Sequence, residues 1–567
     1  MSQKTQCFFL ATSLIGLTIL GFLSGKKDWQ FGCDDFGAFY SGKTAQPKDF
    51  INYFGYKTND LTIMPTNMQD RPMSFFSVTY RPLTLAFYAF ECWLLDAKKS
   101  FDAWPYFVVS IILHSLCVAL FFWLLSFFVQ QFLAFTAAAL LAFYPFMGRC
   151  LGPFTFQPFS ISLIFASIAL ALFLYFLKRK SQYLLWLSAF CFAIPLLMHE
   201  LVITLPAWFF FIACFKNYEN KSNFLSAVGN AFLQILPFVF ILCVYFGARL
   251  VLFPPSIGHT QIFNPWTVLF NLKIRFYDFV TLFIELFGLS FIKAGNCMLK
   301  LFALIVVVVW CSLLWIFSSN KKHAAIAAVG AGWFCWVSLL VMHQSRYLYL
   351  SLPLLLSFIA MSAEGIIANN LFKRLLKNSV PSFFLLLTVV GLFENRQLMA
   401  AFLVRQRLIA KELQALAINP HVQNKALFFV GVPCELFPGS GIAQAIWMYS
   451  AAKEDGKKVF HDEQLNTRSL FVNEPCYDIV AQNLLSITIK NNQINLTSLG
   501  PKQVWMFAAN PFGRKAACTV GKVLLQQTDK SGQKAYKVIV EIDSNINLNE
   551  TKIVSWDYAK KNFIILN

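Results

Sequence analysis

Apolar runs of about 17–25 residues recur along this chain up to residue 393, and each is long enough to cross a hydrocarbon core of about 30 Å. A soluble globular fold is thereby excluded. Charged residues make up 13% of the 567 and hydrophobic residues 57%, against roughly 25% and about 45–50% in ordinary domains. Beyond residue 393, Asn, Gln, Lys and Asp return and β-branched residues alternate with polar ones. The expected division is a polytopic membrane domain over 1–393 and a water-soluble domain over 394–567.

The net charge of +19, from 47 Lys and Arg against 28 Asp and Glu, does not point to nucleic acid. The basic residues are split among short loops, which is a membrane-topology signal. Most of the 14 cysteines, Cys117, Cys191, Cys214, Cys243, Cys311 and Cys335 among them, lie inside apolar runs, where Cys acts as a small hydrophobe. A Cys434–Cys476 bridge is conceivable, but spacing alone does not establish a pairing.

The run from Cys7 to Leu23 leads into Ser24-Gly25-Lys26-Lys27 without a small-residue cleavage site, and reads as an uncleaved first span. Phe75 to Leu95 contains Arg81-Pro82 and Glu91. Proline breaks a helix, and arginine or aspartate at mid-membrane costs about 2.5–3.5 kcal/mol, so this stretch reads as interfacial. The spans then fall near 7–24, 104–129, 131–147, 157–177, 183–198, 201–215, 228–252, 298–318, 324–342, 347–369 and 379–393, about eleven in all. With the N-terminus in the cytoplasm, Lys178-Arg179-Lys180, Lys216 with Lys221, Lys321-Lys322 and Lys373-Arg374 with Lys377 all fall inside. The loop 25–103 carries nine basic and nine acidic residues, and long loops determine topology weakly. It falls outside, together with His199-Glu200, residues 343–347 and the C-terminal domain.

That outer face gathers the unusual polar residues. Asp34 and Asp35 are adjacent acids just past the first span; their mutual repulsion near a low-dielectric boundary is how a general base is poised, although a solvated turn explains them as well. Arg81, between Tyr80 and Pro82, presents a fork of donors suited to phosphate oxygens; an arginine snorkelling to lipid headgroups is the plainer alternative. His199 and Glu200 end the fifth span, where a structural ion pair with Arg149 or Arg249 is the competing reading. His343 and Arg346 share a helical face and could together meet an anionic group, while Tyr347 and Tyr349 also fit an aromatic belt. His114, in the second span, reads as a packing or helix-bridging histidine.

In their order and common side, Asp34-Asp35, Tyr80-Arg81-Pro82-Leu83, Tyr144-Pro145, Glu200 and Arg346-Tyr347-Leu348-Tyr349-Leu350 make residues 1–393 resemble the GT-C superfamily of polytopic glycosyltransferases, in particular the protein O-mannosyltransferase-like branch. That family often has His-Pro where this chain has Tyr144-Pro145, and Lys-Glu where it has His199-Glu200. The resemblance implies an α-helical, GT-C-like membrane fold and inverting transfer of a sugar from a polyprenyl-phosphate donor to an acceptor hydroxyl on a glycan, lipid or protein. It implies Asp34 or Asp35 as catalytic base, and Tyr80, Arg81, His199, Glu200, His343, Arg346 and Tyr347 around the donor. A divalent cation at the two aspartates is chemically open, but no third ligand is evident and no metal is assigned. Membrane lipid is an expected partner and nucleic acid is not. A bacterial inner membrane with the C-terminal domain in the periplasm is the expected location.

In that domain, alternating runs at 425–432, 485–490, 493–499, 504–508, 522–527, 535–542 and 553–566 predict hairpins and a small β-rich or mixed fold, with turns at Asn491-Asn492 and Lys530-Ser531-Gly532. An amphipathic helix over 396–416 is expected along the membrane surface. Two competing functions remain at the level of sequence: a transporter or flippase of a lipid-linked or anionic substrate, and a non-catalytic scaffold.

Overall fold

The computed structural model describes residues 3–23, 81–95, 103–145, 147, 151, 156–220, 223–252, 297–341, 348–366, 370–417 and 419, and nine strands between 426 and 565. The helices among them are α1 (Gln3–Leu23), α2 (Pro82–Leu94), α3 (Trp104–Leu125), α4 (Gln131–Ala142), α5 (Gln157–Arg179), α6 (Gln182–Met198), α7 (Leu205–Asn220), α8 (Phe224–Leu252), α9 (Cys297–Phe317), α10 (Lys321–Val341), α11 (Leu352–Glu364) and α12 (Leu371–Ala417), with a 3-10 turn over Glu200–Thr204. Two compact units divide the chain: Met1–Lys27 with Tyr80–Thr84 and Trp104–Phe402, and Asp28–Thr79 with Leu85–Ala103 and Leu403–Asn567.

The first unit is a helical bundle. Six helices among the described residues are long and apolar enough to cross a membrane, and four shorter apolar ones accompany them, so this is an integral membrane protein. Phe232, Leu233, Phe240 and Leu250 on α8 are each more than half exposed, an apolar surface suited to lipid rather than water. α4 stops at Ala142, short of the expected 131–147 span, because Pro145 disfavours helix in the residues before it.

Cys7 of α1 lies by Ser126, just past α3, and Phe22 of α1 lies by His114 of α3, so these two run antiparallel. The end of α5 turns sharply at Lys180, which adopts a left-handed conformation (φ 57°) and donates its N–H to the Phe176 carbonyl. Ser318 bridges to Ile366 and Ser319 hydrogen-bonds the Gly365 carbonyl, joining the end of α9 to the end of α11. Gln130 N–H donates to Glu364 at 3.4 Å and the Phe128 and His323 rings lie 5.7 Å apart. These contacts define one end of the bundle. From Lys178 at that end of α5 to Phe159 near the other end is about 28 Å of helix, close to one hydrocarbon thickness.

His114 bridges elements in the interior. Its Nε2 faces the Ala142 carbonyl at 3.1 Å and its Nδ1 faces the Tyr349 hydroxyl at 2.7 Å. A carbonyl only accepts, so Nε2 carries the proton and Nδ1 accepts from tyrosine in the neutral form.

α12 differs from expectation. Instead of a span followed by a separate surface helix, it continues unbroken to Ala417, since no Gly or Pro follows Gly391 in that stretch to interrupt it. Its 47 residues extend about 70 Å.

In the second unit, β1 (Ala426–Pro433) runs parallel to β2 (Arg468–Asn473) and β8 (Thr551–Asp557), while β5 (Trp505–Ala508) and β9 (Asn562–Ile565) add antiparallel edges, giving the mixed order β5-β2-β1-β8-β9. β3 (Leu485–Lys490), β4 (Gln493–Ser498), β7 (Gln533–Glu541) and β6 (Val523–Lys530) form an antiparallel sheet in that order. Lys490 pairs with Gln493 and Lys530 with Gln533, so both hairpins close over two-residue loops carrying Asn-Asn and Ser-Gly. β2 has no counterpart among the expected strands, and Cys434 and Cys476 lie outside the described residues.

Candidate functional site

The end of the bundle opposite the Lys178 end brings several expected site residues together. Arg81 immediately precedes α2, whose first residue is Pro82, a favoured helix start. Only 6% of Arg81 is exposed, and a guanidinium that buried needs hydrogen-bonding partners. The Arg81 carbonyl accepts from Thr84 N–H at 3.1 Å. The Thr84 hydroxyl then donates to the Met198 carbonyl at 2.6 Å, tying the start of α2 to the residue before His199.

α6 ends at Met198, and His199 turns the chain into extended geometry (φ −156°). Its Nδ1 accepts the Leu201 N–H at 3.3 Å and so caps the 3-10 turn over Glu200–Thr204. One ring nitrogen is thus given to the fold. The ring is 2% exposed and lies 4.3 Å from the Phe159 ring. Glu200 opens the turn through its backbone.

An aromatic column runs from there into the bundle. Gln157-Pro158 starts α5; Phe156 and Phe159, three apart, stack at 5.1 Å with their planes 10° from parallel. Phe156 meets Tyr349 edge-on at 4.9 Å, and Tyr349 bonds His114. Tyr349 belongs to the Arg346–Leu350 motif. Asp34, Asp35, Tyr80, His343, Arg346 and Tyr347 themselves lie outside the described residues. The Thr84–Met198 bond and the Phe156–Phe159 pair were not among the sequence candidates; Gln157-Pro158 as a helix start was the one local signal for the second.

Tyr349→Phe removes a hydroxyl and leaves His114 Nδ1 without its donor. Hydrogen bonds between membrane helices are worth about 0.6 kcal/mol on average and about 1.7 at most; with a buried acceptor left unmet, the loss here should be about 1–2 kcal/mol. A lowered thermal midpoint of the purified protein checks it, and His114→Phe combined with Tyr349→Phe should cost less than the two single changes added together.

Among the described residues there is no group of three or more His, Cys, Asp or Glu that could hold a metal ion. No family model and no curated protein matches the chain. Among solved structures it is similar to ArnT from Cupriavidus metallidurans bound to undecaprenyl phosphate, at 10% identity, covering 86% of this chain and 97% of that one, with a TM-score of 0.44.

Proposed function

We propose that this chain is a GT-C-type membrane glycosyltransferase of about eleven crossings that moves a sugar from a polyprenyl-phosphate donor to an acceptor hydroxyl on the extracytoplasmic side. The observation that carries this reading is the buried Arg81, tied through Thr84 and Met198 to His199 at one end of a membrane bundle. A cation held at the edge of hydrocarbon is what a lipid phosphate requires, and Arg supplies two parallel donors to it.

In the reaction the acceptor oxygen attacks the anomeric carbon from the face opposite the phosphate, which inverts the configuration. The bond from that carbon to the phosphate oxygen breaks, and its electron pair stays on the phosphate. Asp34 or Asp35 takes the acceptor proton. Arg81, His343 and Arg346 stabilise the charge that builds on the leaving phosphate, with Tyr80 and Tyr347 beside them, while His199 and Glu200 orient the donor. Phosphate leaves without needing a proton, so one base suffices where glycoside hydrolysis uses two carboxylates. The C-terminal domain, 394–567, lies on the same side as the acceptor. The resemblance to the O-mannosyltransferase-like branch makes polyprenyl-phosphate hexoses the first donors to try, in a bacterial inner membrane.

The test is transfer of radiolabelled sugar from polyprenyl-phosphate donors by membranes carrying the chain, against empty membranes. Arg81→Gln should lower transfer about 10²–10³-fold, as loss of one charge-stabilising donor does, and Arg81→Lys should fall between because it keeps charge but not the fork. Transfer no greater than that of empty membranes with every donor would move the reading to a transporter or scaffold.

A further inference from the structure

At the Lys178 end of the bundle a cavity of about 690 Å³ lies between α3, α5, α7, α10 and α11. Its wall on α5 runs from Leu163 to Lys178, fifteen residues or about 22 Å of helix. That is deeper than the hydrocarbon of one leaflet, about 15 Å. The depth is lined by Leu170, Leu174, Trp208 and Leu354, whereas the wall at the α5 C-terminal end carries Lys178, Lys180, Lys216 and Lys322 against a single acid, Glu219.

Glu219 is already engaged. Its two oxygens hold Lys216 at 3.4 Å and Lys322 at 3.1 Å. Lys178 and Lys180 have no ion pair among the described residues; the Lys180 ammonium lies 5.9 Å from the Phe176 ring. Two cations with no ion pair among the described residues therefore stand at the mouth of a long apolar space. A water-soluble anion would satisfy the rim and leave the depth unfilled; an uncharged lipid would fill the depth and ignore the rim.

We propose that this cavity holds an anionic phospholipid, with its phosphate on the lysine rim and an acyl chain between α5, α7 and α10. Basic pockets between membrane helices at the water boundary bind such headgroups. Its lysine rim lies about 28 Å along α5 from Phe159, while its apolar depth reaches Leu163, Val202 and Leu350; the proposal rests on the rim and does not depend on the reaction proposed above.

The experiment uses purified full-length protein in nanodiscs of phosphatidylcholine with graded dioleoyl phosphatidylglycerol, with retained lipid counted by native mass spectrometry after detergent release. Wild type should retain one phosphatidylglycerol in preference to phosphatidylcholine. Lys178→Gln with Lys180→Gln, both on an exposed helix end, should weaken that retention about 30-fold, since each lysine near a membrane surface contributes about a fivefold factor. Leu170→Trp, which fills the cavity with the rim intact, should lower it too. Equal retention of the two lipids, an unchanged affinity in the double lysine variant, or displacement of the lipid by millimolar inorganic phosphate would each overturn the proposal, the last by showing a site for a free anion.

Discussion

Asp34→Asn or Asp35→Asn should lower sugar transfer about 10²–10⁴-fold at unchanged membrane expression, the usual contribution of a positioned general base. Asparagine keeps the shape and most of the hydrogen bonding of aspartate, yet it cannot take a proton from the acceptor hydroxyl. The loss corresponds to about 2.7–5.4 kcal/mol of transition-state stabilisation. Only one of the pair should show the full effect, because a single proton is moved; its neighbour shapes the local field and should matter by a smaller factor. A rate measured at saturating donor separates the two cases, since a base acts in the bond-making step while a residue that merely holds donor shifts the half-saturating concentration. Wild-type transfer in both variants would remove the aspartates from the mechanism and leave the rest of the site standing.

Gly391→Ala should destabilise the folded chain by about 3 kcal/mol, although alanine ordinarily strengthens a helix by roughly 0.5–1 kcal/mol over glycine. A methyl at Gly391 would be driven into the Phe143 carbonyl oxygen, with the Phe143 carbonyl carbon at 2.9 Å and the Pro145 nitrogen at 3.2 Å. Those are backbone atoms and cannot rotate away. One turn on, the Asn395 side chain donates to the Tyr144 carbonyl at 2.9 Å, so pushing α12 outward also breaks a buried hydrogen bond. Overpacking costs typically about 1–3 kcal/mol and the lost bond about 1 more. Gly332→Ala is the control: nothing lies within 4 Å of a methyl there, so the same substitution should stabilise. Thermal midpoints of the two variants moving in the same direction would show that the close approach of α12 does not matter.

The helices were legible because apolar runs are a local signal, and so were the hairpins, whose Asn491-Asn492 and Ser531-Gly532 loops announce themselves. The parallel pairing of β1 with β8 was not, since Phe428 and its partner Ile553 are joined through more than a hundred residues that carry no mark of the pairing. At the site, Arg81 and His199 stood out as polar residues at the ends of apolar runs. What fastens them did not: Thr84 and Met198 are 114 residues apart, and a threonine near a helix start reads as a cap before it reads as a tie. His199 shows the limit in another way. Its residue type suggested chemistry, while the local geometry gives one of its nitrogens to capping a turn.

The bond between His114 and Tyr349 spans 235 residues of sequence. A ribosome adds about 5–20 residues each second, so His114 waits roughly 12–47 s inside the nascent bundle before its partner exists. Through that interval its Nδ1 must be met by water or by a passing backbone group, and α3 and the start of α5 lack the tyrosine that both finally meet. Assembly of this end of the molecule is therefore timed by the arrival of the tenth and eleventh helices, and truncation before Tyr349 would leave the early helices threaded but unset.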